Sequence, residues 1–213
     1  MTKTMKKKLA AAMGMVLVLS MSVPVCADTT AYEIDGVGMT VEFPSDYITF
    51  DRNTDDSDPN LAISGMNAEE LVEYMISSDS YFNALSPDMM REIVVIKRDN
   101  IVKNLSKLSD EEVAELGEEI TVAYADMGFI KEGGELYDHP EEEFYKFYFH
   151  DEAETVHAIQ YFVLHDYQAI NLTYRSYTGE EITEEDEEIM KAIVDSVTFE
   201  DKTISDMLAD FFE

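Results

Sequence analysis

The chain has 213 residues, with 46 acidic side chains against 15 basic ones, a formal charge of −31 at pH 7 and one cysteine. That balance argues against nucleic acid or an anionic membrane as partner, since both require a basic surface. Cys26 lies in an N-terminal leader, so disulfides, thiolate catalysis and Cys-ligated zinc are excluded from residues 28–213.

Residues 1–27 read as a secretory signal peptide. Lys3, Lys6, Lys7 and Lys8 form a basic start, Leu9–Leu19 an apolar stretch too short to span a bilayer, and Val25-Cys26-Ala27 a small-residue cleavage site before Asp28. The competing reading is lipid anchoring through Cys26, but Pro24-Val25 does not supply the small residue such processing needs. The expectation is therefore a secreted protein starting at Asp28. Residues 28–213 then form a single domain of 186 residues, with 11 basic against 46 acidic side chains and a formal charge of −35.

Tyr32–Ile34 and Met39–Phe43 flank Asp35-Gly36-Val37-Gly38 and predict a hairpin, closed by Pro44. The two glycines are turn chemistry, because a strand and not a helix comes after them. Asp51–Asn60 is an acidic loop. An EF-hand register beginning at Asp51 fails where Gly is needed (Asp56) and where Glu is needed (Ala62). Asn67 caps a helix through Leu71, Tyr74, Met75 and Ser78. Tyr81–Leu85 continues irregularly towards Pro87, and Glu92–Arg98 is a strand with charged ends.

Ser109–Glu112 is a capping box. It opens a helix with Val113, Leu116, Ile120, Ala123, Tyr124 and Met127 on one face, ended by Gly128. A short segment, Glu135–Asp138, lies between Gly133-Gly134 and His139-Pro140. Phe144–His150 is a strand with aromatics on both sides, which calls for cover on both faces. Thr155–Leu164, the turn His165–Gln168 and Ala169–Ser176 make a long hairpin. Ile170, Leu172 and Tyr174 face the core, and Ala169, Asn171, Thr173 and Arg175 form a semi-polar side. Thr183 and Asp186 cap a helix whose acidic first turn suits the helix dipole. Val197–Phe199 is a last strand. Residues 203–213 predict a C-terminal amphipathic helix, with Ile204, Met207, Leu208, Phe211 and Phe212 at helical spacing. Adjacent strands come in hairpins, so the fold class is α+β: a largely antiparallel sheet with helices on its faces.

Gly38-Met39-Thr40-Val41-Glu42-Phe43-Pro44, the apolar hairpin Tyr161–Tyr174 and Ile193-Val194-Asp195-Ser196-Val197-Thr198-Phe199 resemble the PsbP-like superfamily. Its members include an extrinsic photosystem protein, a Ran-binding nuclear-import factor and small secreted or lipid-anchored bacterial proteins. The resemblance implies an α/β/α sandwich that acts by binding. Its motifs are fold motifs, and no site residue is carried over through them.

Catalytic signatures are missing: there is no nucleophile elbow, no HExxH and no His pair at helical spacing. Two constellations remain. His150 and His157 flank the Asp151–Glu154 turn, so a hairpin would bring them together with Asp151 nearby. They are the alternative site of a metal-dependent protein or hydrolase. Arg91, Lys97, Arg98, Lys103 and Lys107 concentrate five cations in an otherwise acidic chain. They read either as charges protecting an edge strand from aggregation or as a docking strip for an acidic protein partner or another copy. The reading adopted is a secreted, cofactor-free, non-catalytic binding or adaptor domain for an envelope or extracellular protein, with the five cations as its partner-binding residues.

Overall fold

The computed structural model describes residues 28–200. The expected signal peptide and the expected C-terminal helix 203–213 both lie outside the described residues. The expected α+β class, antiparallel with helices on both faces, is what the chain forms. In chain order the elements are β1 (Thr29–Ile34), β2 (Met39–Pro44), β3 (Ile48–Asp51), α1 (Leu61–Ser64), α2 (Ala68–Ser77), β4 (Ser80–Leu85) and β5 (Arg91–Asp99). A 3-10 turn (Leu105–Lys107), α3 (Asp110–Asp126), β6 (Phe129–Asp138), β7 (Glu143–Asp151), β8 (His157–His165), β9 (Gln168–Ser176), α4 (Glu184–Asp195) and β10 (Thr198–Phe199) complete the chain order.

Seven strands form one antiparallel sheet in the order β3-β4-β5-β9-β8-β7-β6, and β1-β2-β10 form a small second sheet. Alternation along the central strands sends side chains to two different cores. Ile93 and Val95 of β5, Ile170, Leu172 and Tyr174 of β9, and Ile159 and Tyr161 of β8 pack under the small sheet and α4. Here Met39, Val41 and Phe43 meet Met190, Ile193 and Val194. On the opposite face Tyr145, Phe147, Phe149 and Phe162 pack against Val113, Leu116, Ile120 and Tyr124 of α3. Further along that face α2 lays Leu71 and Met75 on Phe50. The aromatics on both sides of β7 are thus explained, since each side has its own cover.

Helices α2, α3 and α4 each begin with a reciprocal capping box, Asn67/Glu70, Ser109/Glu112 and Thr183/Asp186. The buried stripe of α3 is narrower than expected: Ala123 and Met127 point to solvent. Residues 81–85, expected to be irregular, belong to strand β4. Phe82 and Ala84 are buried and alternate with Tyr81, Asn83 and Leu85, a period of two that Asn83 disguises. The segment expected at Glu135–Asp138 is the second half of a ten-residue edge strand, β6, whose register shifts between Glu132 and Glu135. β3 and α1 are short and carry no clear periodicity, and the sequence pattern does not reveal them. β5 also corrects the edge-strand reading, because it hydrogen-bonds to β4 on one side and β9 on the other. Its charges therefore do not protect a free edge.

Candidate functional site

The sheet separates the five cations. Arg91 begins β5 and Lys97 stands six residues on, which is about 20 Å along an extended strand. Arg91 belongs to a structural cluster at the start of α4. Its Nε donates to Asp186 at 3.0 Å and its Nη1 to Asp88 at 3.2 Å. The Asp186 carboxylate also accepts from the Tyr174 hydroxyl, from Thr183 N–H at 3.0 Å and from Thr183 Oγ1 at 2.8 Å. Burial alone would raise the Asp186 carboxyl; the hydrogen bonds from Tyr174, Thr183 and Arg91 outweigh it and hold the group below the usual carboxylate range. Composition hid this role, because Asp186 sits in a run of acids that otherwise merely suits the helix dipole.

The other four cations gather at the opposite end of β5. Lys97 donates to the Gly36 carbonyl in the β1–β2 turn and lies 5.1 Å from the centre of the Tyr81 ring. On the other side of the strand Arg98 pairs with Asp79 at 2.9 Å. Lys103 lies 3.5 Å from Asp166, and Lys107 closes the 3-10 turn, whose Leu105 is buried beneath α3. Among the described residues no ion pair involves Lys107. The Arg98 and Lys103 pairs are solvent-exposed, so each is worth about 0–1 kcal/mol and leaves its cation available.

Two exposed apolar side chains missed at the sequence level stand at the same end of the sheet. Ile101 is 93% exposed and Tyr167 50% exposed. The segments that carry them are joined, because Asn100 N–H donates to the Tyr167 carbonyl at 2.6 Å and Tyr167 N–H to the Lys103 carbonyl at 3.4 Å. Asp166 and Tyr167 form the two-residue tip of the β8–β9 hairpin with φ of 44° and 63°. A type I′ turn demands both positive angles and normally takes Asn-Gly. A tyrosine there accepts ~1–2 kcal/mol of backbone strain. The sequence did carry that signal, as an Asp-Tyr pair where a glycine would relax the turn.

His150 and His157 do meet. They are directly opposed across β7 and β8, with ring centroids 5.6 Å apart and planes 25° from parallel. His150 Nδ1 is 2.8 Å from the Asp151 carbonyl, which can only accept, so Nδ1 carries the proton. Nε2 then faces Glu132 at 3.8 Å. A cleft of about 190 Å³ opens in front of the pair, lined also by Tyr148, Glu181 and Ile182. Asp151 does not join them. Its carboxylate accepts from Thr155 Oγ1 and N–H, both at 2.6 Å, and from Val156 N–H at 3.0 Å. These bonds, that from the Thr155 side chain foremost, hold it below the usual range. Among the described residues no three His, Cys, Asp or Glu side chains converge as a metal would require.

His139 and His165 stand apart from this cleft. His139 is buried with Nδ1 accepting from Glu141 N–H at 3.2 Å, and its Nε2 has no partner among the described residues. His165 bonds to Glu142 at 2.9 Å at the basic end of the sheet. Among the described residues no helix is long and apolar enough to cross a membrane.

No family model matches the chain, and no curated protein does. Solved structures do. The solution structure of cyanobacterial PsbP (CyanoP) from Synechocystis sp. PCC 6803 aligns over 82% of this chain and 94% of its own, with a TM-score of 0.51 and 14% identity. A crystal structure from Bacteroides thetaiotaomicron VPI-5482 aligns over 78% of this chain and 46% of its own, with a TM-score of 0.41 and 12% identity. At these identities the likeness concerns the fold, and the expected resemblance holds at that level: the chain has a PsbP-like fold.

Proposed function

We propose that the protein is a secreted, non-catalytic binding domain that holds a protein partner outside the cytoplasm at the basic end of its large sheet. One observation carries the reading. Lys97 and Arg98 end β5, and Lys103 and Lys107 follow in the loop that carries the exposed Ile101 and is hydrogen-bonded to Tyr167, on a molecule whose formal charge is −31. Exposed apolar side chains beside charge of the rarer sign are how a contact patch gains both energy and orientation. The field of the remaining surface repels anionic proteins and leaves this end as their approach. Arg91 is no part of the patch, because Asp186 and Asp88 engage it at the other end of β5.

Immobilised wild-type protein and the variant Ile101→Asp, Lys103→Glu, Lys107→Glu should be compared on the same extracellular and envelope fractions. A protein retained by the wild type and lost from the variant is the expected result, with retention weakening as salt rises. Identical retention by both would remove the patch as the binding surface. The substituted side chains are exposed, so the variant should keep the wild-type circular dichroism and melting curve.

A further inference from the structure

The cleft in front of His150 and His157 takes no part in the basic end of the sheet. His157 opens β8 and His165 closes it, so the two sites stand about 26 Å apart along the strand.

The cleft is rich in acceptors. The bond from His150 Nδ1–H to the Asp151 carbonyl leaves Nε2 of the neutral ring with a free lone pair. Nε2 and Oε1 of Glu132 stand 3.8 Å apart. That is too long for a hydrogen bond, yet a nitrogen placed between the two atoms lies about 2.9 Å from both. Among the described residues no hydrogen bond reaches either atom. His157 stacks on the His150 ring and limits its rotation, and Glu181 also lines the cleft. Tyr148 and Ile182, both packed against the main core, complete the lining with apolar surface. We propose that this cleft binds a primary ammonium group on a short alkyl chain. His150 Nε2 and Glu132 accept from the nitrogen, and the methylenes lie against Ile182 and Tyr148.

Four physical arguments select this ligand class. An anion is repelled by Glu132 and Glu181, whereas the field of a chain of formal charge −31 gathers cations. A metal ion requires three converging ligands, and among the described residues no such group exists. An ammonium needs only acceptors, and its three N–H donors can satisfy His150 and Glu132 at once. Size agrees: the cleft holds about 190 Å³, several times the roughly 30 Å³ share of one water, so an amine with a few carbons fits. The same group ends a lysine side chain, so the source is either a free amine or a lysine of another protein.

The test uses the full chain at constant ionic strength and follows the ring resonances of His150 and His157. The probes are n-butylammonium, tetramethylammonium and Nα-acetyl-lysine methylamide. Butylammonium should move both rings saturably. Tetramethylammonium has the same charge but no N–H, and should not. The lysine amide separates the sources: binding like that of butylammonium supports a lysine side chain as ligand, and no binding supports a free amine. Glu132→Ala and His150→Phe should each weaken butylammonium by about tenfold or more, the loss of one hydrogen bond to a charged group. The Glu132 side chain is exposed, so its variant keeps the fold even where His150→Phe does not. Three outcomes overturn the proposal: no saturable shift with butylammonium, an equal response to tetramethylammonium, or unchanged affinity in Glu132→Ala. A saturable response to zinc chloride with none to butylammonium would make the histidine pair a metal site and overturn it as well.

Discussion

Asp186 is the side chain on which α4 and the large sheet agree. It is 3% exposed, so its charge survives only because Tyr174 from β9, Arg91 from β5 and Thr183 from its own helix cap donate to it together. Removing it leaves a guanidinium and a buried hydroxyl without their acceptor. Breaking a buried pair from one side costs about 3–5 kcal/mol. Arg91 is partly exposed and keeps Asp88, so Asp186→Ala should fall at the lower end, about 3 kcal/mol by urea denaturation at pH 7. The pH dependence has a definite sign. The folded-state pKa of Asp186 is depressed, so its contribution is fully present above the unfolded value of about 3.9 and is lost as pH falls through the lower folded value. The difference between wild type and Asp186→Ala should stay level from pH 8 to about pH 5 and shrink below about pH 4. A difference below 1 kcal/mol at pH 7, or one that grows on acidification, would mean that the cluster behaves like an exposed ion pair.

Among the elements, α3 and β6 show why parts of this fold were legible and others were not. Helix caps, the long hairpin and the two-sided character of β7 come from local chemistry: an Asn, Ser or Thr three residues before an acid, and a period of two in apolar residues. β6 lacks such a pattern because it is an edge strand, exposed along most of its length and interrupted by two glycines. Those glycines have a tertiary reason that no local rule reveals. A Cβ on Gly134 would stand 2.0 Å from the Tyr145 hydroxyl, and one on Gly117 of α3 would stand 2.6 Å from the same oxygen. Tyr145 thus reaches between helix and edge strand through space that only glycine leaves. Gly134 is also bound to its place by a φ of 148°. Gly117 is helical, where alanine is intrinsically better by about 1 kcal/mol. Gly117→Ala should therefore destabilise the wild type by overpacking, about 1–3 kcal/mol, yet stabilise the Tyr145→Phe background, where the clashing oxygen is gone. If Gly117→Ala has the same sign in both backgrounds, the Tyr145 hydroxyl is not what reserves the glycine. The candidate site divides in the same way. Its cations could be counted in the sequence, but the hydrogen bonds that join the Asn100–Lys103 loop and its Ile101 to the β8–β9 tip are long-range. So is the pairing that draws Arg91 away from the other four.

At the scale of the whole molecule the governing fact is charge. With 46 carboxylates and 15 cations, most acidic groups have no opposite partner, and folding presses like charges together. A PsbP-like domain of this length has a radius of gyration of about 16 Å. At 0.01 M salt the Debye length of about 30 Å lets charges repel across the entire body, and at 0.15 M, where it is about 8 Å, only near neighbours still interact. Exposed pairs such as Arg98–Asp79 and Lys191–Asp195 are screened as well, but each is worth only about 0–1 kcal/mol. Repulsion should win, so the melting temperature should rise between 0.01 and 0.15 M sodium chloride, by about 2–4 °C for each kcal/mol of repulsion removed. Chloride is the proper probe, because sulfate would strengthen apolar burial by itself. The reversal Lys97→Glu and Arg98→Glu adds negative charge where the field is weakest, and its melting temperature should rise more steeply with salt than that of the wild type. A flat or falling profile for both proteins would show that local pairs outweigh the net field. The same result would remove the electrostatic reason for partners to approach at the basic end of the sheet.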